Sequence, residues 1–369
     1  MNIKCGIVGL PNVGKSTLFN ALVKKNVAEA ANYPFCTIEP NESVVEIVDE
    51  RLNNLFQAYK SAKLIYSCIT FVDIAGIIKG AHKGEGLGNK FLENIRQVNA
   101  IIHVVRCFQN PEITKEDGDV LSNITDVNLE LALADLESIS KQKIKLEAEI
   151  KLMQRQRKQN DVNDRYKLIC DIEMHLKSCV ENGWTDLPAR FNCNKNSMVK
   201  AFNLLSTKPM LYVCNIDEDY NENNIESQKV IEKYGKDKCI LISIKAESYI
   251  VEDAESIDLY RENAYQNQQY NGINELVRAA YSLLNRISFF TAGEKEVRSW
   301  SIEKDSIASV AAGKIHSDFE KGFIRAIVMS YDDFVNFGGI AECRKQGRLQ
   351  IQGRDYIVQD ADIIEFKVK

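Results

Sequence analysis

Up to about residue 125, short apolar runs alternate with glycine-containing loops and helical stripes. The runs Lys4–Val8, Ser43–Ile47, Ile69–Val72 and Ile101–Val105 read as strands. Alternation of this kind predicts an α/β fold: a mostly parallel sheet with helices on both faces. The pattern then changes. Leu129, Leu133, Leu136, Ile139, Leu146, Ile150 and Met153 recur at helical spacing, interrupted at Lys143. A polar stretch over 154–161 follows, and a second stripe runs through Leu168, Ile172, Leu176 and Cys179. Two apolar stripes around a charged tip predict an antiparallel helical hairpin, a coiled-coil arm. The alternative is that both stripes lie on the sheet.

After Pro209 the run Met210–Cys214 returns the chain to the sheet, and Leu241–Ile244 reads as its last core strand. Residues 252–271 are polar, Ile273–Leu284 is amphipathic, and the remainder is rich in short strands and turns. Strand candidates there are Arg298–Ile302, Phe323–Met329, Tyr356–Val358 and Ile363–Val368. The expected division is a nucleotide-binding unit over 1–284, carrying a helical insertion at 126–205, and a C-terminal module over 285–368.

Composition narrows the picture in two ways. A formal net charge of −5 argues against a protein that coats nucleic acid non-specifically, so any RNA contact must come from a local basic patch. The ten cysteines are scattered without a C-x-x-C pair, which favours reduced thiols and a cytoplasmic protein. No apolar stretch approaches a membrane span. Monomer is the default.

The chemistry starts at Gly9-Leu10-Pro11-Asn12-Val13-Gly14-Lys15-Ser16, directly behind the first strand and opening into a helix at Lys15-Ser16-Thr17. In that setting the spacing is a phosphate-binding loop. Backbone N–H groups converge on the β-phosphate, Lys15 reaches the β/γ oxygens, and the Ser16 hydroxyl is placed for Mg²⁺. Asp73-Ile74-Ala75-Gly76 follows a strand, where a magnesium-organising aspartate acting through water belongs, and the Gly76 N–H can feel the γ-phosphate. Thr37, on the loop before the second strand, is either a loop residue or the hydroxyl that completes the metal shell. Ile77 stands where many switch NTPases place a water-orienting glutamine. His82 is a candidate to replace that group or a solvated loop histidine.

Guanine readers present Asn-Lys-x-Asp after this sheet's later strand. Here the chain reads Asn215-Ile216-Asp217-Glu218, losing the lysine and shifting the aspartate. Loss of one bidentate base contact is worth about 1–3 kcal/mol of discrimination. That favours ATP over GTP, with Asn215, Ile216, Glu218 and Ser243 assigned to nucleotide binding beside Asn12, Val13, Gly14, Lys15, Ser16, Thr17 and Gly76.

These strings, with Asn32–Asn41, Lys83-Gly84-Glu85-Gly86-Leu87-Gly88-Asn89 and the C-terminal run Ala312–Arg325, resemble the YchF subfamily of the Obg-related P-loop NTPases nearly end to end. The resemblance implies an ATPase with weaker GTPase activity, a β-grasp (TGS) C-terminal domain, and association with the ribosome, its large subunit and rRNA. It makes Ser16 and Thr37 magnesium ligands. It also makes Asn12 a candidate for holding K⁺. Lys115 stands where the family carries a histidine proposed to assist hydrolysis.

Overall fold

The computed structural model describes residues 3–29, 41–74, 87–108, 119–153, 159–182, 191, 197–217, 224–250 and 272–369. Two six-stranded sheets organise them. The first comprises β1 (Lys4–Val8), β2 (Glu42–Glu46), β4 (Cys68–Asp73), β5 (Ala100–Arg106), β6 (Met210–Asn215) and β7 (Cys239–Ile242). Its order is β2-β4-β1-β5-β6-β7. Only β2 runs antiparallel to its neighbour. The inner strands are apolar without alternation because both faces are covered, and Ala100 to Val105 are buried throughout. One face packs on α1 (Lys15–Glu29) and the helix Gly272–Leu283.

The second sheet has the order β11-β10-β12-β8-β9-β3. Its strands are β3 (Leu64–Ile65), β8 (Arg286–Ala292), β9 (Val297–Glu303), β10 (Phe323–Met329), β11 (Gln350–Gln352) and β12 (Ile363–Val368). β3 comes from the N-terminal part of the chain, as does α2 (Glu50–Tyr59), which packs on this sheet. The Asp49 side chain caps α2 by accepting from the Arg51 N–H, and Lys60 closes it in a left-handed conformation, φ 48°. Leu52 and Leu55, one helical turn apart, are buried with Phe290, Val297 and Met329.

On the far face of the first sheet lie α3 (Leu87–Gln97) and the root of α4 (Val120–Met153). Beyond the root, α4 pairs with α5 (Gln159–Asn182) around Ile139, Leu146, Val162, Ile169 and Ile172. The stripes therefore pack on each other, as a hairpin requires. The tip, 154–158, lies outside the described residues.

Several expectations need correction. Tyr356–Val358 is not a strand but a single bridge, Ile307 to Ile357. The last core strand ends at Ile242, since the Ser243 hydroxyl accepts from Ala246 N–H at 3.4 Å and turns the chain into the helix Ile244–Ile250. β8 and the helices of the C-terminal module were not foreseen.

Candidate functional site

β1 ends at Val8, and the next residues turn at the C-terminal end of this inner strand before α1 opens. Gly9 adopts φ 153°, where a Cβ would collide with the Val104 carbonyl oxygen. Gly14 adopts φ 104°, and a Cβ there would lie 2.5 Å from Asn215 Nδ2. Between them Asn12 is left-handed, φ 60°, a conformation asparagine tolerates better than most residues. The first turn of α1 contains no acidic side chain, and Ser16 and Thr17 are exposed there. First-turn N–H groups and two exposed hydroxyls thus meet at a helix N-terminus that favours an anion.

Lys15 points back into this loop. It is 8% exposed, and its Nζ donates to Leu10 O at 2.5 Å. Burial pushes its pKa down, and the Asp73 carboxylate partly offsets that. The converse holds for Asp73, which burial raises and Lys15 lowers. Asp73 sits at the C-terminal end of β4, beside Ile7 of β1, with its N–H donating to Asn41 O at 2.9 Å. Lys15 and Asp73 are therefore brought together, with Ser16 beside Lys15 in the chain. A hydroxyl and a carboxylate are hard oxygen donors that suit Mg²⁺, which keeps several waters and takes phosphate oxygens. Among the described residues no cluster of three or more His, Cys, Asp or Glu could hold a metal without such partners.

Asn215 is the residue whose role changes most on seeing the fold. It is 6% exposed, its Nδ2 donates to Val13 O at 3.0 Å, and its Oδ1 accepts from Ile244 N–H at 3.2 Å. The side chain clasps the phosphate loop to the turn after β7, leaving one hydrogen and one lone pair for any base. Ile216 is 4% exposed and packs with Val105, Ile124 and Val230, so its side chain fills the core instead of lying open for a base. A lysine at 216 would bury an ammonium in that cluster. Ile216→Lys is accordingly expected to lower stability by several kcal/mol in urea unfolding, making Glu218→Asp alone the cleaner probe of base preference. Thr37, Gly76, His82, Lys115 and Glu218 lie outside the described residues.

Sequence reasoning missed His103. It lies on β5 beside Val8, is 1% exposed, and its Nδ1 has no hydrogen-bond partner among the described residues. Its ring centroid is 5.7 Å from that of Tyr212. Burial, with Lys15 adding to it, pushes its pKa down to about 3. The imidazole is neutral in the fold, whereas the unfolded chain takes up a proton below its ordinary value near 6.5. The unfolded state then binds more protons, so stability falls as pH drops from about 6.5 toward 3. Between pH 7 and 5 this group should remove about 2 kcal/mol. His103→Phe is expected to abolish that part of the acid loss in urea unfolding at the two pH values. An unchanged pH dependence would contradict it.

The comparisons agree with this geometry. A family model described as a 50S ribosome-binding GTPase matches residues 4–134. A second, for the C-terminal domain of YchF-type GTPases and described as a protein of unknown function, matches 286–369. The ribosome-binding ATPase YchF of Haemophilus influenzae is 43% identical over 373 residues, spanning 100% of this chain and 99% of that protein. The chain belongs to the YchF family. The YchF protein of Bacillus subtilis is 42% identical over 375 residues, covering 100% of this chain and 99% of its own. The solved YchF GTPase of Schizosaccharomyces pombe superposes with a TM-score of 0.81 at 33% identity, covering 99% of this chain and 98% of that one. YchF membership fixes the fold class: a P-loop NTPase domain with mixed α/β sheets and a C-terminal β module of the TGS kind.

Proposed function

We propose that this chain is a magnesium-dependent ATPase, with weaker activity on GTP, whose nucleotide state governs association with the ribosome and its large subunit. The observation that carries the phosphate chemistry is the buried Lys15 held within the loop Gly9–Ser16 and facing Asp73. In this reading Lys15 exchanges the Leu10 carbonyl for β/γ phosphate oxygens. The N-terminal amides of α1 hold the polyphosphate, while Ser16, Thr37 and, through water, Asp73 hold the magnesium. A bound Mg²⁺ supplies charge neutralisation to the phosphoryl group being transferred. Asn12 would help hold a potassium ion, and hydrolysis is expected to run faster in potassium than in sodium salts. His82 remains the candidate for positioning water in place of Ile77.

The shifted acidic residues after Asn215 support ATP over GTP, and the ATPase names of the bacterial relatives point the same way. The domain division at 284/285, a cytoplasmic location, rRNA contact and a monomeric state belong to the same proposal. No described helix is long and apolar enough to cross a membrane. A GTP-dependent assembly factor is the competing reading, favoured by the GTPase description of the matching N-terminal family model. Equilibrium binding of fluorescent ATP and GTP, with and without large ribosomal subunits, separates them. The proposal expects tighter ATP binding and nucleotide-dependent co-sedimentation; tight GTP with weak ATP would overturn it.

A further inference from the structure

The segment between the Thr37 loop and Asp73 does not stay with the nucleotide-binding sheet. β2 and β4 pair antiparallel from Glu42 with Val72 to Glu46 with Cys68, and Ile47 N–H donating to Ser67 O at 2.8 Å closes a neck. Beyond that neck, residues 47–67 form a limb built into the other sheet. Leu64 and Ile65 pair with Val297 and Arg298. Val297 N–H donates to Lys63 O at 2.9 Å and Ala62 N–H to Glu294 O at 3.0 Å. The Ser61 hydroxyl reaches Gly293 O at 2.5 Å, and Ser67 and Ser299 hydroxyls meet at 3.0 Å in a buried position. Arg51 grips Asp360 at 2.7 Å while held by Asp49 at 2.8 Å, and Leu52 and Leu55 are fully buried in the module's core.

From Ile65 the chain runs almost directly through β4 to Asp73. Eight residues of extended chain span about 26 Å and transmit displacement with little slack. At its end the Asp73 N–H is bonded to Asn41 O, where the Thr37 loop rejoins β2. Both arms of the neck therefore lead from the phosphate site to the C-terminal module. A cavity of about 780 Å³ flanks the limb's root, lined by Asp49, Arg51, Arg278, Tyr281, Gln359 and Asp360 among others.

We propose that the C-terminal module regulates the phosphate site through this limb: a triphosphate in place of a diphosphate in the site beside Asp73 tightens the β3–β9 seam, and a partner that tightens the seam raises affinity for the triphosphate. The reciprocity is required by linkage. The inference rests on the reading of Gly9–Ser16 and Asp73 as a triphosphate site.

Hydrogen exchange read by mass spectrometry on the full chain tests it, in the presence of Mg²⁺ with ADP or with a non-hydrolysable ATP analogue. Peptides covering 60–67 and 293–303 are expected to exchange at least about threefold more slowly with the analogue than with ADP. In Arg51→Gln, which releases the grip on Asp360, that difference should shrink while the peptide covering 9–18 stays protected by either nucleotide. Protection of 9–18 with identical exchange of the seam in both states would overturn the inference alone. Absence of protection at 9–18 would instead overturn the triphosphate reading, and the inference with it.

Discussion

Replacing Lys15 with alanine is expected to lower triphosphate hydrolysis by roughly 10²–10³-fold, the size of removing one preorganised donor from developing charge. The fold should tolerate the change. Lys15 is a buried cation whose charge is disfavoured by its surroundings, and in the resting site its Nζ spends a hydrogen bond on Leu10 O. The melting temperature without nucleotide should therefore stay close to that of the parent. The stabilisation conferred by Mg²⁺ and ATP, about 2.7 kcal/mol at a hundredfold excess over Kd, should largely vanish. Turnover and thermal shift together distinguish a lost phosphate ligand from a damaged fold. Wild-type turnover in the variant would mean that Lys15 has no part in the chemistry.

Asn215→Ala carries the second large effect, and its character tests the clasp. Truncation orphans the buried Val13 carbonyl and the Ile244 N–H, each costing about 1–3 kcal/mol, so urea unfolding should show a loss of roughly 2–6 kcal/mol. Because the clasp shapes the phosphate loop rather than the base pocket, affinities for ATP and GTP should fall together. A change confined to one nucleotide would show that Asn215 reads the base directly.

The phosphate loop was legible in the sequence because its information is local: a strand, a glycine turn and a helix start in consecutive residues. Phe323–Met329 and Ile363–Val368 were legible for a related reason, since their apolar runs match the observed strands. The limb was not legible. Leu64 pairs with Val297, far along the chain, and a two-residue strand carries no periodic signal of its own. Lys143 interrupts the apolar stripe without a visible partner in sequence, because Glu173 on the facing helix supplies it. At the base site, residue types pointed to a ligand while geometry shows two of them serving the fold: Asn215 fastens the loop and Ile216 fills the core. His103 was passed over because its neighbours are apolar in sequence, and only the fold brings Lys15 near it.

Isothermal titration of the full chain with ATP in excess Mg²⁺, run beside Lys15→Ala, tests the central assignment most directly. Saturable one-to-one uptake by the wild type, lost in the variant and in the absence of magnesium, is the predicted result. Heat of binding that is absent in the wild type, or equal in the two proteins, would contradict the assignment of Gly9–Ser16 as the phosphate cradle.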